Sequence, residues 1–256
     1  MDRGTYVAAS GGLLQLRRME IVNNNLANSN TPGFKGQFLV NRTRQFDETL
    51  ASQQPEVTKD PFAVGDHDRT PDARSVSTVT DFTPGARKAT GNPLDVALRG
   101  PSDFFVVNTG EGLRYTRAGN FTLNTEGELV TSDGQQVQGD GGAITVTDGP
   151  VTIAPNGAVY SNGEEIGRLQ VVRFENTDGL TRVGANRFSL NAGQAAPPAL
   201  DDAQIVPASL EMSNVSAVTG MLQLIQANRG FEMYSKSART IDEMNQSAIT
   251  QVGRTR

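Results

Sequence analysis

The C-terminal stretch at residues 215–251, VSAVTGMLQLIQANRGFEMYSKSARTIDEMNQSAITQ, decides the fold. Its apolar or small side chains recur every third or fourth residue, which indicates one narrow seam along a single long helix. The seam positions are Val218, Met221, Leu224, Asn228, Phe231, Tyr234, Ala238, Ile241, Met244 and Ala248. A helix of about 35 residues is about 50 Å long. A seam of that length calls for a partner helix.

A second seam with the same spacing lies near the N-terminus. Its positions are Tyr6, Ala9, Leu13, Leu16, Met19, Val22 and Leu26. Gly11 and Gly12 interrupt this helix, which either weakens it by about 1 kcal/mol per glycine or allows a neighbouring backbone to approach closely. The two seams pair with each other or with the same ends of neighbouring molecules. We therefore predict an α+β fold, in which long N- and C-terminal α-helices pair as a coiled-coil-like domain and a central domain is antiparallel all-β.

Composition restricts the class of partner. The 256 residues carry a net charge of −5 with a pI near 5.0, which argues against nucleic acid or anionic lipid as the main partner. The chain has no cysteine, so disulfides and thiolate metal sites are excluded. No apolar stretch approaches the 18 or so residues that would indicate a membrane span. Residues 1–6 do not resemble a cleavable signal peptide, so we expect a cytoplasmic protein or one exported without signal cleavage.

The middle of the chain changes from irregular sequence to short strands. Residues 41–79 are polar and contain scattered prolines, which predicts a linker or extended loop. From residue 80 onward, closely spaced turns separate short apolar runs, which is typical of antiparallel sheet. Residues 104–107 predict one strand and residues 166–174 the strongest strand of the chain. The predicted divisions are 1–40 and 206–256 for the helical domain, 41–79 for the linker and 80–205 for the β domain.

No residue pattern predicts catalysis, a metal site or a cofactor. Asp66-His67-Asp68 has the wrong spacing for one face of a strand or helix, and His67 is the single histidine, so a solvated loop is favoured. Gly139-Asp140-Gly141-Gly142 lacks the lysine of a phosphate-binding loop and is interpreted as a turn. The carboxylates available for a catalytic pair are interpreted as solvated turn residues. They are Asp103, Glu111, Glu164 and Glu165.

Three motifs resemble those of the flagellar axial proteins, the rod and hook proteins of bacteria. They are NNLANSNTPGFK at residues 24–35, LEMSNV at 210–215 followed by IQANRGFE at 225–232, and GNPLDVAL at 91–98. On these motifs the chain is identified as a member of the flagellar basal-body rod protein family. The start Met1-Asp2-Arg3, the PLDVAL segment and the length resemble the proximal rod proteins, with a distal rod or hook-type protein as the alternative.

The resemblance implies a structural subunit of the rod rather than an enzyme. Such subunits leave the cell unfolded through the flagellar export apparatus, without signal cleavage. They assemble with other rod proteins and with copies of themselves into a helical tube in the periplasm, which transmits torque from motor to hook. No nucleic acid, cofactor or membrane span is implied.

The expected functional residues form two sets. The predicted assembly interface comprises Leu13, Leu16, Met19, Val22, Leu26, Leu222, Leu224, Ile225, Phe231, Tyr234 and Ile241. The residues expected from the family motifs are Asn25, Asn28, Thr31, Gly33, Phe34, Asn214, Arg229 and Glu232. Two functions from other classes stay open at this point, namely a monomeric periplasmic glycan-binding module and a hydrolase.

Overall fold

The computed structural model describes residues 3–43, 74–146, 149–184, 186–191, 193–200 and 202–253. The chain divides into two units. The first, called the helical unit, comprises Met1–Ile21, Gln37–Val79 and Gln226–Arg256, and the second, called the β unit, comprises Val22–Gly36 and Thr80–Ile225. The linker predicted at 41–79 falls mostly on residues 44–73, outside the described ranges, and the predicted domain divisions stay predictions.

The described residues of the helical unit form two helices and two strands. Helix α1 spans Arg3–Ala27 and helix α2 spans Ala217–Gly253, so both helices continue into the β unit. Strand β1, Gln37–Thr43, pairs with β2, Arg74–Thr80, in a two-stranded sheet.

Glycines on α1 face aromatic side chains of α2. A Cβ placed on Gly11 would overlap the ring of Tyr234, and Gly12 lies against Phe231 and the same tyrosine. These glycines therefore allow a neighbouring element to approach closely, as one of the two interpretations has it. The group that approaches is a side chain rather than a backbone. The helices meet through small residues on α1 that leave room for large residues of α2.

The predicted coiled-coil-like domain is wrong. α1 has 25 residues against 37 in α2, and the part of its predicted seam before Met19 is exposed. Tyr6, Leu13 and Leu16 are 59%, 67% and 38% exposed, whereas a coiled coil buries such positions in the facing helix. The physical reason is that the smaller side chains allow the closer approach, so the glycine-bearing face of α1 is the one turned to α2.

Sixteen further strands lie in the described residues of the β unit. They are β3 (Arg87–Ala89), β4 (Val96–Leu98), β5 (Asp103–Thr109), β6 (Gly112–Thr116), β7 (Phe121–Leu123), β8 (Leu129–Thr131), β9 (Gln136–Gly139), β10 (Gly142–Ala143), β11 (Val151–Ile153), β12 (Ala158–Ser161), β13 (Glu164–Arg168), β14 (Val171–Arg173), β15 (Leu180–Val183), β16 (Arg187–Leu190), β17 (Ile205–Pro207) and β18 (Ser209–Glu211). Every pairing with a defined register is antiparallel, so this part of the predicted architecture is confirmed.

Nine strands form the main sheet, with the order β15-β16-β6-β5-β9-β8-β7 and with β14 and β10 attached to β5 and β9. Strand β5 lies between two apolar clusters. Phe105 and Val107 belong to the larger cluster, and Phe104 and Val106 belong to an aromatic cluster with Phe188. Because alternate side chains of a strand point to opposite faces, the continuous apolar run at 104–107 supplies both clusters.

The strand predicted at residues 166–174 is two strands in different sheets. β13 pairs with β12 in a three-stranded sheet, and β14 pairs with β5 in the main sheet. Between them, the Leu169 amide donates to Gly157 and the Gln170 amide to Gln138. The apolar pattern continues through the break because Leu169 is itself buried in the larger cluster, so the pattern alone does not mark the change of sheet.

Replacement of Gly11 by Ala tests the helix contact. We expect the free energy of unfolding to fall by about 1–3 kcal/mol, because the new methyl group overlaps the Tyr234 ring. Gly12→Ala is the matched control, because the nearest side-chain atoms lie 3.9 Å from a Cβ there and better helix propensity contributes up to about 1 kcal/mol. Thermal unfolding followed by circular dichroism measures both. Equal effects of the two substitutions would contradict the contact.

Candidate functional site

The segment that follows α1 folds into a tight turn against the β unit. The Thr31 hydroxyl donates to the Asn28 side chain at 3.2 Å, and the Asn28 amide group donates to the Asn24 carbonyl at 2.9 Å. Gly33 has a φ of +67°, and a Cβ there would overlap the backbone of Ala118. The turn therefore needs glycine both for its backbone conformation and for space.

Phe34 and Lys35 follow the turn and are fully buried. The Arg182 guanidinium lies 4.5 Å from the centre of the Phe34 ring and 5.6 Å from that of Phe188, within cation–π distance of both. Arg182 also donates a hydrogen bond to the Lys35 carbonyl. Burial lowers the pKa of Arg182 to about 10, so the side chain stays charged at neutral pH.

Three buried charged residues, Lys35, Arg117 and Glu211, form what we call the charge junction. The Lys35 ammonium lies 2.6 Å from Oε1 of Glu211. Arg117 donates from Nε and Nη2 to Oε2 of Glu211 at 2.9 and 2.5 Å. All three side chains are at most 1% exposed. Buried charges are strongly destabilising unless paired and hydrogen-bonded, and here each oxygen of the carboxylate has its own cation.

Backbone groups form further hydrogen bonds with the charge junction. Lys35 also donates to the Thr83 carbonyl at 2.7 Å, and Arg117 donates from Nη1 to the carbonyls of Gly100 and Asp103. The Gly85 amide donates to Glu211 Oε1 at 3.1 Å. The backbone is joined as well, because the Gly33 amide donates to the Glu211 carbonyl at 2.8 Å.

Burial and pairing act in opposite directions on the two titrating members of the junction. Burial lowers the pKa of Lys35, and Glu211 opposes that effect only in part, so the value lies below the usual 10.5. Burial raises the pKa of Glu211, but Arg117, Lys35 and the hydrogen bonds together outweigh it and hold the value below 4.5. Glu211 is therefore ionised at neutral pH.

Asn214 joins the same segments a few residues further on. Its side-chain oxygen accepts from the Gly36 amide at 2.8 Å, and its amide group donates to the Asp81 carbonyl at 2.9 Å. Further bonds run to the carbonyl and hydroxyl of Thr83 at 3.3 and 3.2 Å. Ser216 precedes α2 and its hydroxyl accepts from the Thr219 amide at 3.5 Å, as a helix N-cap does.

The first turns of α2 expose an apolar surface that we call the α2 stripe. Its members Val218, Met221, Leu222 and Ile225 are 70%, 54%, 57% and 50% exposed. Their spacing of three, four and seven residues from Val218 places them on one face of the helix. Four large apolar side chains together on one exposed helix face are typical of an interaction surface.

The predicted interface residues occupy different environments. Leu13, Leu16, Leu222 and Ile225 are exposed, and Val22 is buried. The half-buried ones are Met19, Leu26, Leu224, Phe231, Tyr234 and Ile241. Within the helical unit, Tyr234 and Phe231 lie against the α1 glycines and Ile241 lies close to Gly4.

The predicted motif residues also separate into groups. Asn28, Thr31, Gly33, Phe34 and Asn214 meet around the turn and the strand end at residue 211. The side-chain oxygen of Asn25 lies 3.8 Å from a Cβ position on Gly36. Arg229 and Glu232 lie on α2 with exposed side chains.

Sequence reasoning assigned no role to the charge junction, although Lys35 and Glu211 stand inside two of the family motifs. The available signal was a charged residue directly after a buried aromatic or aliphatic one, as in Phe34-Lys35 and Leu210-Glu211. Nothing in the sequence pairs Lys35 with a residue 176 positions away.

No helix in the described part of the chain is both long enough and apolar enough to cross a membrane. Among the same residues, no group of three or more His, Cys, Asp or Glu side chains is placed to hold a metal ion. The Asp66-His67-Asp68 segment lies outside the described ranges.

Protein-family comparisons match the three parts of the chain that build this site. Residues 6–35 match the flagella basal body rod protein family, 98–161 match the D1 domain of the flagellar hook protein FlgE/F/G, and 206–251 match the C-terminal part of the flagellar basal body rod FlgEFG proteins. A flagellar basal-body rod protein FlgF from Caulobacter vibrioides is 35% identical over 99% of both chains.

Two further relatives agree with this class. FlgF from Salmonella typhimurium is 34% identical over 95% of both chains, and FlgG from Bacillus subtilis is 32% identical over 97% of this chain and 98% of that one. The chain is thus a flagellar axial protein. It belongs to the flagellar basal-body rod protein family, as a structural subunit of the rod most like the FlgF members. These relatives are structural proteins rather than enzymes, and they give no support to a glycan-binding module.

Replacement of Gly33 by Ala tests the turn. We expect a loss of at least about 2 kcal/mol in unfolding free energy, because the φ of +67° and the overlap with the Ala118 backbone both oppose a side chain. Gly110→Ala is the matched control, since a Cβ there meets no atom within 4 Å. Chemical denaturation measures both variants, and a Gly33 variant as stable as its control would contradict the account.

Replacement of Asn214 by Ala tests the second connection. The change leaves the Gly36 amide without its acceptor and removes the donor to the Asp81 carbonyl, so we expect a loss of about 1–3 kcal/mol. Asn228→Ala, at an exposed position of α2, should change the unfolding free energy by less than about 0.5 kcal/mol. Similar values for the two variants in chemical denaturation would show that the Asn214 bonds do not stabilise the fold.

Proposed function

We propose that the subunit enters the rod by burying exposed apolar side chains of its two helices against neighbouring subunits. The neighbours are other rod proteins and copies of the same chain. The observation that carries this proposal is the α2 stripe, which presents four large apolar side chains on one face of a helix in a family of rod subunits. Membership of that family supports assembly with other rod components.

The exposed area of the α2 stripe is enough to matter energetically. Full burial of one large apolar side chain contributes about 1.5–3 kcal/mol, and Leu222 and Ile225 already have about half of that area covered. Covering the remainder therefore contributes on the order of 1 kcal/mol for each side chain. Repetition of the contact from subunit to subunit adds these small contributions along the whole assembly.

A second exposed apolar set lies on α1. Tyr6, Leu13 and Leu16 share one helix face, because they follow one another at seven and three residues. A subunit with two different exposed surfaces can make a head-to-tail contact, in which one surface of a copy meets the other surface of the next. Such a contact produces a helical tube when each step adds a rise.

The location and export of the subunit are part of the same proposal. Its relatives are basal-body rod proteins, which supports a place in the periplasmic rod, where the tube carries torque from motor to hook. We propose export through the flagellar export apparatus, without cleavage of a signal peptide. The acidic pI near 5.0 favours protein neighbours over nucleic acid, and we propose a structural role without catalysis or a cofactor.

The double substitution of Leu222 and Ile225 by Asp tests the α2 stripe. Both side chains are at least half exposed, so the folded subunit tolerates the change, whereas burying two carboxylates at an apolar contact opposes assembly. We expect loss of swimming and of the subunit from purified basal bodies. The free energy of unfolding of the purified variant, followed by circular dichroism, should lie within about 1 kcal/mol of that of the parent chain.

The matched control places the same two charges on the neighbouring positions Gln223 and Gln226, which are also exposed. This Asp double variant should still enter the basal body. Normal swimming of the Leu222/Ile225 variant, or equal failure of both variants, would exclude the stripe as the assembly surface.

A further inference from the structure

We propose that Glu211 is an acid-releasable latch. While its carboxylate is ionised, it holds the turn at residues 28–36 and the segment at 211–216 on the β unit, and its protonation releases both. This property goes beyond assembly into the rod, because it belongs to the isolated subunit and needs no neighbour.

The latch is built from stretches that are far apart in the chain. Glu211 accepts hydrogen bonds from Lys35, which is 176 residues away, and from Arg117, which is 94 residues away. The backbone on both sides of the carboxylate joins the same stretches through the Gly33 amide and the Gly85 amide. Each segment can leave its place only if a bond to this one residue breaks.

The other charged groups around the latch do not replace Glu211 as the anion that Lys35 and Arg117 contact. Asp81 acts on Lys35 electrostatically, and the Asp103 carboxylate is bound at 2.6 and 3.1 Å by Arg173, while its carbonyl accepts from Arg117. On the paired strand β3, Arg87 stands opposite Glu211 in the register and is exposed, as is its neighbour Lys88.

Arg182 donates to the Lys35 carbonyl and so adds positive charge on that side. Within the described residues, Glu211 is the acid that contacts both Lys35 and Arg117. Protonation therefore leaves two buried cations facing a neutral group. An unpaired buried charge is among the most destabilising features of a folded protein.

The direction of the titration follows from the pairing. The pKa of Glu211 in the folded chain lies below its ordinary 4.5, so the unfolded chain binds the proton more readily. The stabilisation is fully present above that ordinary value and is lost as the pH falls through the folded value. The latch is thus closed at neutral and mildly acidic pH and opens in stronger acid.

Hydrogen exchange read by mass spectrometry on the full chain tests the latch. Protection factors, corrected for the intrinsic exchange rate, are compared between about pH 7 and about pH 3. We expect amides at 28–36 and 211–216 to lose protection about tenfold for each unit between the folded and unfolded pKa of Glu211, ahead of the amides of β5. In Glu211→Gln the same amides should be weakly protected at both pH values.

Glu20→Gln is the matched control, because Glu20 forms an exposed pair with Arg17 at 2.8 Å. It should behave as the parent chain does. If Glu211→Gln does not fold, the test rests on the parent chain, in which the amides at 28–36 and 211–216 should lose protection before those of β5. Loss of protection at β5 before or together with the two segments, or an acid response in Glu211→Gln equal to that of the parent chain, would overturn the proposal.

Discussion

One buried carboxylate, that of Glu211, joins the 28–36 turn to the strand end at residue 211. Glu211 is removed from water and survives as an ion because Lys35, Arg117 and the Gly85 amide replace its hydration. Removal of one partner would leave uncompensated charge, whereas simultaneous replacement of a buried ion set by apolar residues is often tolerated in proteins. The junction is therefore better explained by specificity than by net stability. It admits one register of the 28–36 turn against the strand that ends at residue 211, since a shifted register would leave charges unpaired.

The β sheet provides the fixed frame on which that register is defined. Strand β5 supplies side chains to two apolar clusters at once, and Arg117 follows directly after its neighbour β6. The Asp103 carbonyl at the start of β5 accepts from Arg117, so the guanidinium is held by the same strand that anchors both clusters. The position of β5 in the sheet thus fixes the position of the Arg117 guanidinium, to which Glu211 binds. The α2 stripe starts seven residues after Glu211.

Periodicity predicted the existence of both terminal helices, and the closely spaced turns predicted the antiparallel strands. These sequence signals failed where one pattern is compatible with two different structures. The spacing of Leu13 and Leu16 marks a helix face, but it cannot tell an inward face from one left for other contacts, and here Gly11 faces α2 instead. The run at 166–174 stays apolar where the chain passes from one sheet to another, so the sequence does not show that the strand ends there. The charge junction was not predicted, because the pairing of Lys35, Arg117 and Glu211 joins residues far apart in the chain and leaves no local sequence pattern.

A double-mutant cycle on Arg117 and Glu211 would test this account most directly. The unfolding free energies of Arg117→Met, Glu211→Gln and the double variant give the interaction energy of the pair, independent of what each change costs alone. We predict a coupling of at least about 2 kcal/mol for this fully buried contact, against less than about 0.5 kcal/mol for the exposed pair Arg17 and Glu20. If the coupling of Arg117 and Glu211 were as small as that of the exposed pair, the charge junction would not be the interaction that holds the 28–36 turn against the strand end at residue 211.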